Sequence, residues 1–296
     1  MSATSPFGRM VTAMVSPMRP DGTLDLDAAQ RVATHLVDHG HDGIVVSGTT
    51  GESATTSDAE KVALLRAVLE AVGDRAVITA GAGTNDTAHS VEQAKAAVAA
   101  GAHALLTVTP YYSKPPQEGL RAHFRAVADA VDVPVMLYDI PGRTGTAIST
   151  ESLVELADHP NIVGVKDAKG DLFAMTEVMR QCDLLFFSAI DDLNLAYLAL
   201  GAAGVVSVVG HVAGDLYAEM LACVDKGDLA RAQELHRQAV PAVKAVMTIT
   251  QGAIMAKAAL KELGVLDSAA VRLPLVEATP DQVAALRTGL TESGLM

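Results

Sequence analysis

Aromatic residues are scarce in this chain. They make up 3% of its 296 residues and tryptophan is absent, although half of the residues are hydrophobic. The core must therefore consist mainly of alanine, valine, leucine and isoleucine, which is typical of parallel sheets covered by helices on both faces. This composition favours an α/β fold, and the length suffices for one large domain with a small addition.

Positively charged residues are outnumbered by negatively charged ones. Lysine and arginine together number 22, against 35 aspartates and glutamates, which leaves a net charge of −13. A protein that binds nucleic acid needs a basic surface to neutralise phosphates, and an anionic membrane surface attracts the same kind of patch. The charge balance therefore excludes nucleic acid and membrane surfaces as expected partners.

Cysteine is nearly absent. Cys182 and Cys223 lie far apart and outside any CxxC pattern, which predicts two reduced core thiols in a cytosolic protein. The first ten residues contain no apolar stretch of signal-peptide length, so a cytoplasmic location is expected.

Residues 193–214 carry no Asp, Glu, Lys or Arg, but glycines interrupt them. They predict a helix, a turn and a buried strand rather than a membrane span.

Short apolar segments alternate with helical patterns along most of the chain. Strands are predicted at 10–15, 43–46, 76–80, 104–108, 134–138, 162–166, 184–188 and 204–208. Helical patterns between them include 25–39, 58–72, 87–100, 118–130 and 150–157. Such a series of βα units predicts an α/β (β/α)8 TIM barrel, with an open doubly wound sheet as the alternative.

The alternation stops near residue 228. The segments 228–245, 252–263 and 280–290 have helical patterns with no strand between them. We therefore expect a catalytic barrel at 1–228 followed by a small C-terminal helical domain at 229–296.

Lys166 ends the sixth predicted strand, NIVGVK, where a lysine is unusual. The active site of a parallel barrel forms at the C-terminal ends of its strands. A low-dielectric interior lowers the pKa of a lysine below its free value of ~10.4. The neutral amine can then attack a ketone to form a Schiff base. Pairing with Asp167 or Glu52 is the alternative, while Lys169 is expected to be exposed.

Other strand ends carry polar groups as well. Tyr138 ends the neighbouring strand and is suited to relaying protons during imine formation. Residues 48–52, GTTGE, predict free backbone N–H groups at a helix entrance, which suit a carboxylate, although an ordinary glycine-rich turn is the alternative. His35 and His39 share a helix face and are expected to be solvated rather than metal ligands.

Four motifs occur in an order that is similar to a known family. GTTGE at 48–52, VTPYY at 108–112, YDIPGRTG at 138–145 and GVKDAKGD at 164–171 resemble 4-hydroxy-tetrahydrodipicolinate synthases, which are pyruvate-dependent class I aldolases. The resemblance runs from about Met10 to about Pro280. It implies a TIM barrel that condenses pyruvate with L-aspartate 4-semialdehyde without a metal or other cofactor, and a homo-oligomer, expected to be a tetramer built as a dimer of dimers.

The resemblance also implies catalytic roles. Lys166 matches the lysine that forms the Schiff base with pyruvate, and Tyr138 matches the tyrosine that shuttles protons to it. Thr50 matches the threonine that links two tyrosines in a relay. Tyr112 matches the second of these tyrosines, which the neighbouring subunit supplies.

Substrate-binding residues follow from the same resemblance. Thr49 and Thr50 match the residues that hold the pyruvate carboxylate. Arg143, with Gly142 beside it, matches the entrance arginine that binds the carboxylate of the aldehyde. Val206 corresponds to a position whose main-chain carbonyl faces the catalytic lysine.

The sequence departs from the family pattern in two places. Where these enzymes usually have Ser-Gly-Asp-Asp, residues 188–191 are Ser-Ala-Ile-Asp, which leaves open a related lyase or aldolase acting on a sugar acid or another aldehyde. A catalytically silent pyruvate-binding protein is a third hypothesis.

The family's lysine-inhibitor site matches Asp58, Lys61 and His89, with Asn85 and Tyr111 kept, and this altered set predicts weak inhibition by L-lysine.

Overall fold

Eight parallel strands close into a barrel in chain order, with β8 pairing to β1, in the computed structural model, which describes residues 5–296. The strands are β1 Met10–Ala13, β2 Gly43–Val46, β3 Val77–Gly81, β4 Ala104–Val108, β5 Val135–Asp139, β6 Ile162–Asp167, β7 Leu185–Ser188 and β8 Gly204–Ser207. The closed barrel confirms the predicted (β/α)8 architecture and rules out the open sheet.

Helices connect the strands and continue beyond the last one. They are α1 Leu26–Asp38, α2 Asp58–Val72, α3 Thr87–Ala99, α4 Gln117–Ala128, α5 Pro141–Thr144, α6 Thr150–Leu156, α7 Leu172–Met179, α8 Asn194–Ala199, α9 Gly210–Asp225, α10 Leu229–Met247, α11 Gly252–Glu262 and α12 Pro280–Glu292. A capping box of Ser57 and Glu60 opens α2, because each side chain accepts a hydrogen bond from the other residue's backbone N–H.

The N-terminal segment closes one end of the barrel. Phe7 is fully buried there and meets Phe187 edge to face, with ring centroids 5.8 Å apart. Glycine is required where this segment crosses the strand starts, since a Cβ on Gly43 or Gly204 would lie 2.2 Å from a backbone oxygen of Phe7 or Arg9. Lys166 and Tyr138 lie toward the opposite end of the barrel, where the strands finish.

The uncharged stretch 193–214 forms α8, β8 and the start of α9, as predicted. Among residues 5–296 no single helix has the length and hydropathy to cross a membrane. The helices α10 and α11 reach that length and hydropathy only when taken together, and they are bent by 112° relative to each other. Both cysteines are free thiols, and both are half-buried rather than fully in the core.

Three helices, α10 to α12, follow the barrel, and the described chain has no strand after β8. We propose that the barrel domain ends at residue 228, in the turn between α9 and α10. The apolar side chains of α10 to α12 nevertheless join the same core as the helices of the barrel. The C-terminal helices are therefore packed against the barrel rather than separate from it.

Candidate active site

Lys166 and Tyr138 lie side by side at the open end of the barrel. They face each other in the register of β6 and β5, and the Lys166 Nζ atom is 4.2 Å from the centroid of the Tyr138 ring. Both side chains are buried. The expected juxtaposition of the two residues is therefore present.

The environment of Lys166 favours its neutral form. Burial lowers its pKa to about 7, and the Arg143 guanidinium acts in the same direction, while Asp191 opposes them. A substantial fraction of the amine is then unprotonated at neutral pH and can act as a nucleophile.

The half-buried Lys169 and the buried Lys257 differ from Lys166 in their partners. Lys169 Nζ lies 3.1 Å from Asp139 Oδ2, and Lys257 Nζ lies 2.5 Å from Glu52 Oε1. Lys166 has no carboxylate within ion-pairing distance in residues 5–296, so its alternative pairing with Asp167 or Glu52 is not found. The expectation that Lys169 is exposed was wrong, because only 13% of its side chain reaches solvent.

Tyr138 keeps its proton at physiological pH. Burial raises its pKa to about 12, although the Arg143 charge and a hydrogen bond with the Thr49 side chain lower it in part. The structure thus places Thr49, rather than the predicted Thr50, beside the Tyr138 hydroxyl. The two threonines are neighbours in one loop, and the motif alone does not show which of them faces the barrel axis.

The GTTGE segment is a series of tight turns rather than a helix entrance. The helix α2 begins only at Asp58, so the prediction of N–H groups at a helix start was wrong. The Ser16 hydroxyl donates to the Gly51 carbonyl at 2.6 Å, and Thr50 is buried. Ser47 and Glu52 both have left-handed backbone angles, with φ of 56° and 55°, which is a strain often found at functional sites.

The C-terminal region holds this loop in place. Lys257 of α11 and Glu52 are both fully buried, and the Arg272 N–H donates to the second carboxylate oxygen of Glu52 at 2.9 Å. Lys257 also donates to the Ala270 carbonyl at 2.7 Å. Sequence reasoning missed Lys257 and Arg272. The only signal for a partner was a charged residue, Glu52, in a loop of small residues.

Arg143 stands at the mouth of the site. The short helix α5 that carries it starts at Pro141 and ends at Gly145, whose φ is 78°, which suits glycine. Arg143 and the adjacent Gly142 are exposed, and Thr144 anchors the helix by being buried.

A cleft of about 470 Å³ opens among the loops that follow strands β2 to β5, although neither Lys166 nor Tyr138 lines it directly. Its lining includes Thr49, Val108, Tyr111, Tyr112, Ile140, Arg143 and Gln251. Tyr112 projects from the loop after β4 with 89% of its surface exposed and with a φ of 74°. Val206 lies in β8 and packs with the apolar side chains inside the barrel.

The departure from the family pattern lies beyond β7. Asp191 is buried and accepts hydrogen bonds from the Val208 and Val209 N–H groups, at 3.0 and 3.2 Å, and from the Ser207 hydroxyl. Its carboxylate therefore fixes the turn after β8. Ile190, which precedes it, is half-buried.

Within residues 5–296 no group of three or more His, Cys, Asp or Glu side chains could hold an ion. His35 and His39 are half-buried rather than fully solvated, and the His35 Nε2 atom lies 3.0 Å from the His211 carbonyl.

Comparison with known proteins extends over nearly the whole chain. Residues 6–293 match the Dihydrodipicolinate synthetase family. A 4-hydroxy-tetrahydrodipicolinate synthase of Kineococcus radiotolerans is 58% identical over 290 residues, covering 98% of this chain and 94% of that protein. A second enzyme of that name, from Streptomyces coelicolor, is 54% identical over 294 residues, covering 98% and 97%.

Solved structures agree with the sequence relatives. A dihydrodipicolinate synthase from Cyanidioschyzon merolae with lysine bound superposes with a TM-score of 0.95 at 40% identity, covering 98% of this chain and 99% of the other. The enzyme from Thermotoga maritima gives a TM-score of 0.94 at 36% identity, with coverage of 99% and 100%. This chain therefore belongs to the dihydrodipicolinate synthetase family.

Proposed function

We propose that this protein condenses pyruvate with L-aspartate 4-semialdehyde to give 4-hydroxy-tetrahydrodipicolinate. The observation that carries the proposal is Lys166, a buried lysine with no carboxylate partner among residues 5–296, whose pKa is lowered to about 7. It lies next to Tyr138, and Arg143 lines a cleft formed by the loops at the same end of the barrel. The relatives do not favour the alternative of a sugar-acid lyase.

The chemistry begins with the neutral amine of Lys166. It attacks the ketone carbon of pyruvate, and the resulting carbinolamine loses its hydroxyl as water to leave an imine. Tyr138 is placed to supply the proton to this leaving hydroxyl, because its own pKa is raised to about 12 and it stays protonated.

Carbon–carbon bond formation follows from the imine. Loss of a proton from the pyruvate methyl group gives an enamine, whose carbon attacks the aldehyde of the second substrate. The amino group of that substrate then attacks the imine carbon, closes the ring and expels the Lys166 amine. The imine acts as the electron sink, so the proposed mechanism uses no metal or other cofactor.

Substrate binding is assigned to the groups around the cleft. We propose that Thr49 and Thr50 hold the pyruvate carboxylate, that Arg143 with Gly142 receives the carboxylate of the aldehyde, and that the Val206 carbonyl faces the lysine. We propose that Thr49, whose side chain contacts the Tyr138 hydroxyl, links the two tyrosines. The buried Lys257 supports the loop of both threonines from behind through Glu52.

Assembly belongs to the proposal as well. The exposed Tyr112 suits an interface in which a ring packs and its hydroxyl finds a partner, so we propose a homo-oligomer, a tetramer built from dimers. A solved relative with 36% identity, a TM-score of 0.94 and coverage of 98% of each chain is described as the first monomeric dihydrodipicolinate synthase variant. A cytoplasmic location stays a prediction.

Turnover with a panel of aldehydes tests the function. Product should form from pyruvate and L-aspartate 4-semialdehyde at a higher kcat/KM than with any sugar-acid-type aldehyde. If product forms only with the other aldehydes, Ala189 and Ile190 have changed the partner substrate and the proposed reaction is wrong.

Replacing Arg143 with alanine should impair the second substrate selectively. A guanidinium binds a carboxylate through two parallel hydrogen bonds, whose loss costs roughly 10- to 100-fold in affinity. We expect Arg143→Ala to raise the KM for the aldehyde by that factor while the KM for pyruvate changes little, and Arg143→Lys to recover only part of it. Steady-state kinetics with each substrate varied decides this. Equal effects on both KM values would remove Arg143 from the role.

A second depression beside the cleft corresponds to the predicted inhibitor site. It is lined by Ser53, Asp58, Lys61, Asn85, His89, Gln93 and Tyr111, among others. Asp58 is already engaged, since its carboxylate lies 2.7 Å from the His89 Nε2 atom, 2.8 Å from the Gln93 amide and 3.5 Å from the Lys61 amine. The His89 contact is the main cause of the lowered pKa of Asp58.

Inhibition by L-lysine should therefore be weak. A lysine ammonium entering this depression would meet the positive charge of Lys61 and would find the Asp58 carboxylate occupied. We expect no inhibition at submillimolar lysine, and measurable inhibition in His89→Glu, which adds an anion at that position. Strong inhibition of the unaltered enzyme, measured as initial rate against lysine concentration, would contradict the prediction.

A further inference from the structure

Lys169 occupies a place directly behind the catalytic pair. In the register of β5 and β6, Asp139 follows Tyr138 and Asp167 follows Lys166, and the two aspartates face each other. Successive side chains of a strand point to opposite faces of the sheet. The aspartates therefore point outward from the barrel, toward the layer that surrounds it, while Lys166 and Tyr138 point into the barrel. Both aspartates are fully buried.

Lys169 connects these two aspartates. Its Nζ atom lies 3.1 Å from Asp139 Oδ2, and its backbone N–H donates to Asp167 Oδ1 at 2.8 Å. The Ile148 N–H also donates to Asp139 Oδ2 at 3.2 Å, and Lys169 Nζ donates to the Ile148 carbonyl at 3.3 Å. One residue therefore ties together the ends of both catalytic strands and the segment that follows the helix of Arg143.

We infer that Lys169 is a positioning residue, whose ammonium group holds the ends of β5 and β6 in the arrangement that places Tyr138 against Lys166. This inference rests on the proposed function. Lys169 itself touches neither substrate nor reacting atoms, and it acts only through the strand ends that it joins.

The charges of the cluster explain why the ammonium group is needed. Burial raises the pKa of both aspartates, to about 6 for Asp139, and the Lys169 charge opposes that rise at both. The Asp171 carboxylate, at the start of α7, raises the pKa of Asp167 further. The Tyr197 hydroxyl of α8 and the Asp167 Oδ2 atom are both buried without a hydrogen-bond partner among residues 5–296. No other cation among residues 5–296 pairs with either aspartate.

Loss of the ammonium group would leave two buried, adjacent carboxylates. They cannot both stay ionised in that position, so either they bind a proton or the strand ends move apart. At high pH the charged form persists and the geometry of the catalytic pair is disturbed. At low pH protonation relieves the repulsion, so a variant lacking the charge should regain activity relative to the unaltered enzyme as pH falls.

The test measures the rate at which borohydride traps pyruvate on Lys166, by peptide mass spectrometry, from pH 6 to pH 8. This rate does not depend on which aldehyde is the second substrate. Relative to the unaltered enzyme at the same pH, the trapping rate of Lys169→Met should fall at least about tenfold at pH 8 but less than about threefold at pH 6. The reason is that an unpaired buried carboxylate destabilises its surroundings only while it is ionised. Lys169→Arg keeps the charge and should stay near the unaltered rate. Lys95→Met, at an exposed lysine of α3, is the matched control.

A double variant covers the case in which Lys169→Met does not fold. Asp139→Asn together with Lys169→Met removes one carboxylate along with the ammonium group, and it should recover most of the trapping rate at pH 8. A deficit in Lys169→Met that is the same at every pH, or a double variant as slow as the single one, would overturn the inference. Absence of pyruvate on Lys166 in the unaltered enzyme would instead overturn the proposed function.

Discussion

Sodium borohydride added together with pyruvate is expected to inactivate the enzyme completely and to attach the reduced pyruvate to Lys166. The imine forms on a neutral amine, and Lys166 has a pKa lowered to about 7 by burial. Reduction converts the imine into a stable secondary amine, so the lysine cannot be released. Peptide mapping of the inactivated protein identifies the labelled residue.

The same experiment discriminates among Lys166, Lys169 and Lys257. The amines of Lys169 and Lys257 are engaged by the carboxylates of Asp139 and Glu52, whereas Lys166 has no such contact among residues 5–296, so the label is expected on Lys166. Labelling should slow as pH falls through 7, because protonation of Lys166 removes the nucleophile. Lys166→Met should show neither label nor turnover while it keeps the unfolding temperature of a folded barrel. A label on either of the paired lysines would refute the assignment.

The fold was predictable because its signal is local. Each strand is a short apolar run bounded by turn residues, and every predicted strand end falls within two residues of its position in the structure. The helix starts were equally readable, since the capping box of Ser57 and Glu60 needs only neighbouring residues. Closure of the barrel followed from counting eight repeated βα units.

The charged contacts behind the site were not predictable from local pattern. Lys257 and Glu52 are 205 positions apart in the chain, and no periodicity relates them. Lys169 follows a strand by two residues, which suggests an exposed loop. Its burial depends on Asp139, which lies in a different strand and becomes its neighbour only in the register of the sheet.

The geometry of turns escaped prediction for a related reason. Side chains alternate in a strand, but a tight turn such as GTTGE has no fixed period. Thr49 contacts Tyr138 within a turn whose flanking residues, Ser47 and Glu52, have left-handed backbone angles. Serine and glutamate rarely adopt such angles, so the sequence does not predict them.

A mixture of two inactive variants should regain activity if Tyr112 serves the site of a neighbouring subunit. Within its own chain Tyr112 is 89% exposed, at the rim of the cleft, so its ring is not held against that chain. The loop that carries it is stiffened by Pro110, Pro115 and Pro116, which favours a fixed projection outward. In an oligomer this arrangement would bring the hydroxyl toward the Thr49 and Tyr138 of the partner.

The variants are Lys166→Ala, which lacks the nucleophile, and Tyr112→Phe, which lacks the hydroxyl of the proposed relay. Each should be strongly impaired alone. In a mixed dimer, the site with an intact Lys166 receives an intact Tyr112 from the other subunit, whereas the second site lacks both. Random refolding of an equal mixture gives mixed dimers for about half of the population, so about a quarter of the unaltered activity per subunit should return.

The reverse arrangement predicts a different result from the same mixture. If Tyr112 serves its own chain, every site in the mixed dimer lacks either the lysine or the tyrosine hydroxyl, and mixing restores nothing. Native mass spectrometry must confirm that mixed oligomers have formed, and Lys166→Ala mixed with the unaltered enzyme provides the activity scale. Mixed oligomers without recovered activity would show that the site is complete within one chain, and Tyr112 would then lose its role between subunits.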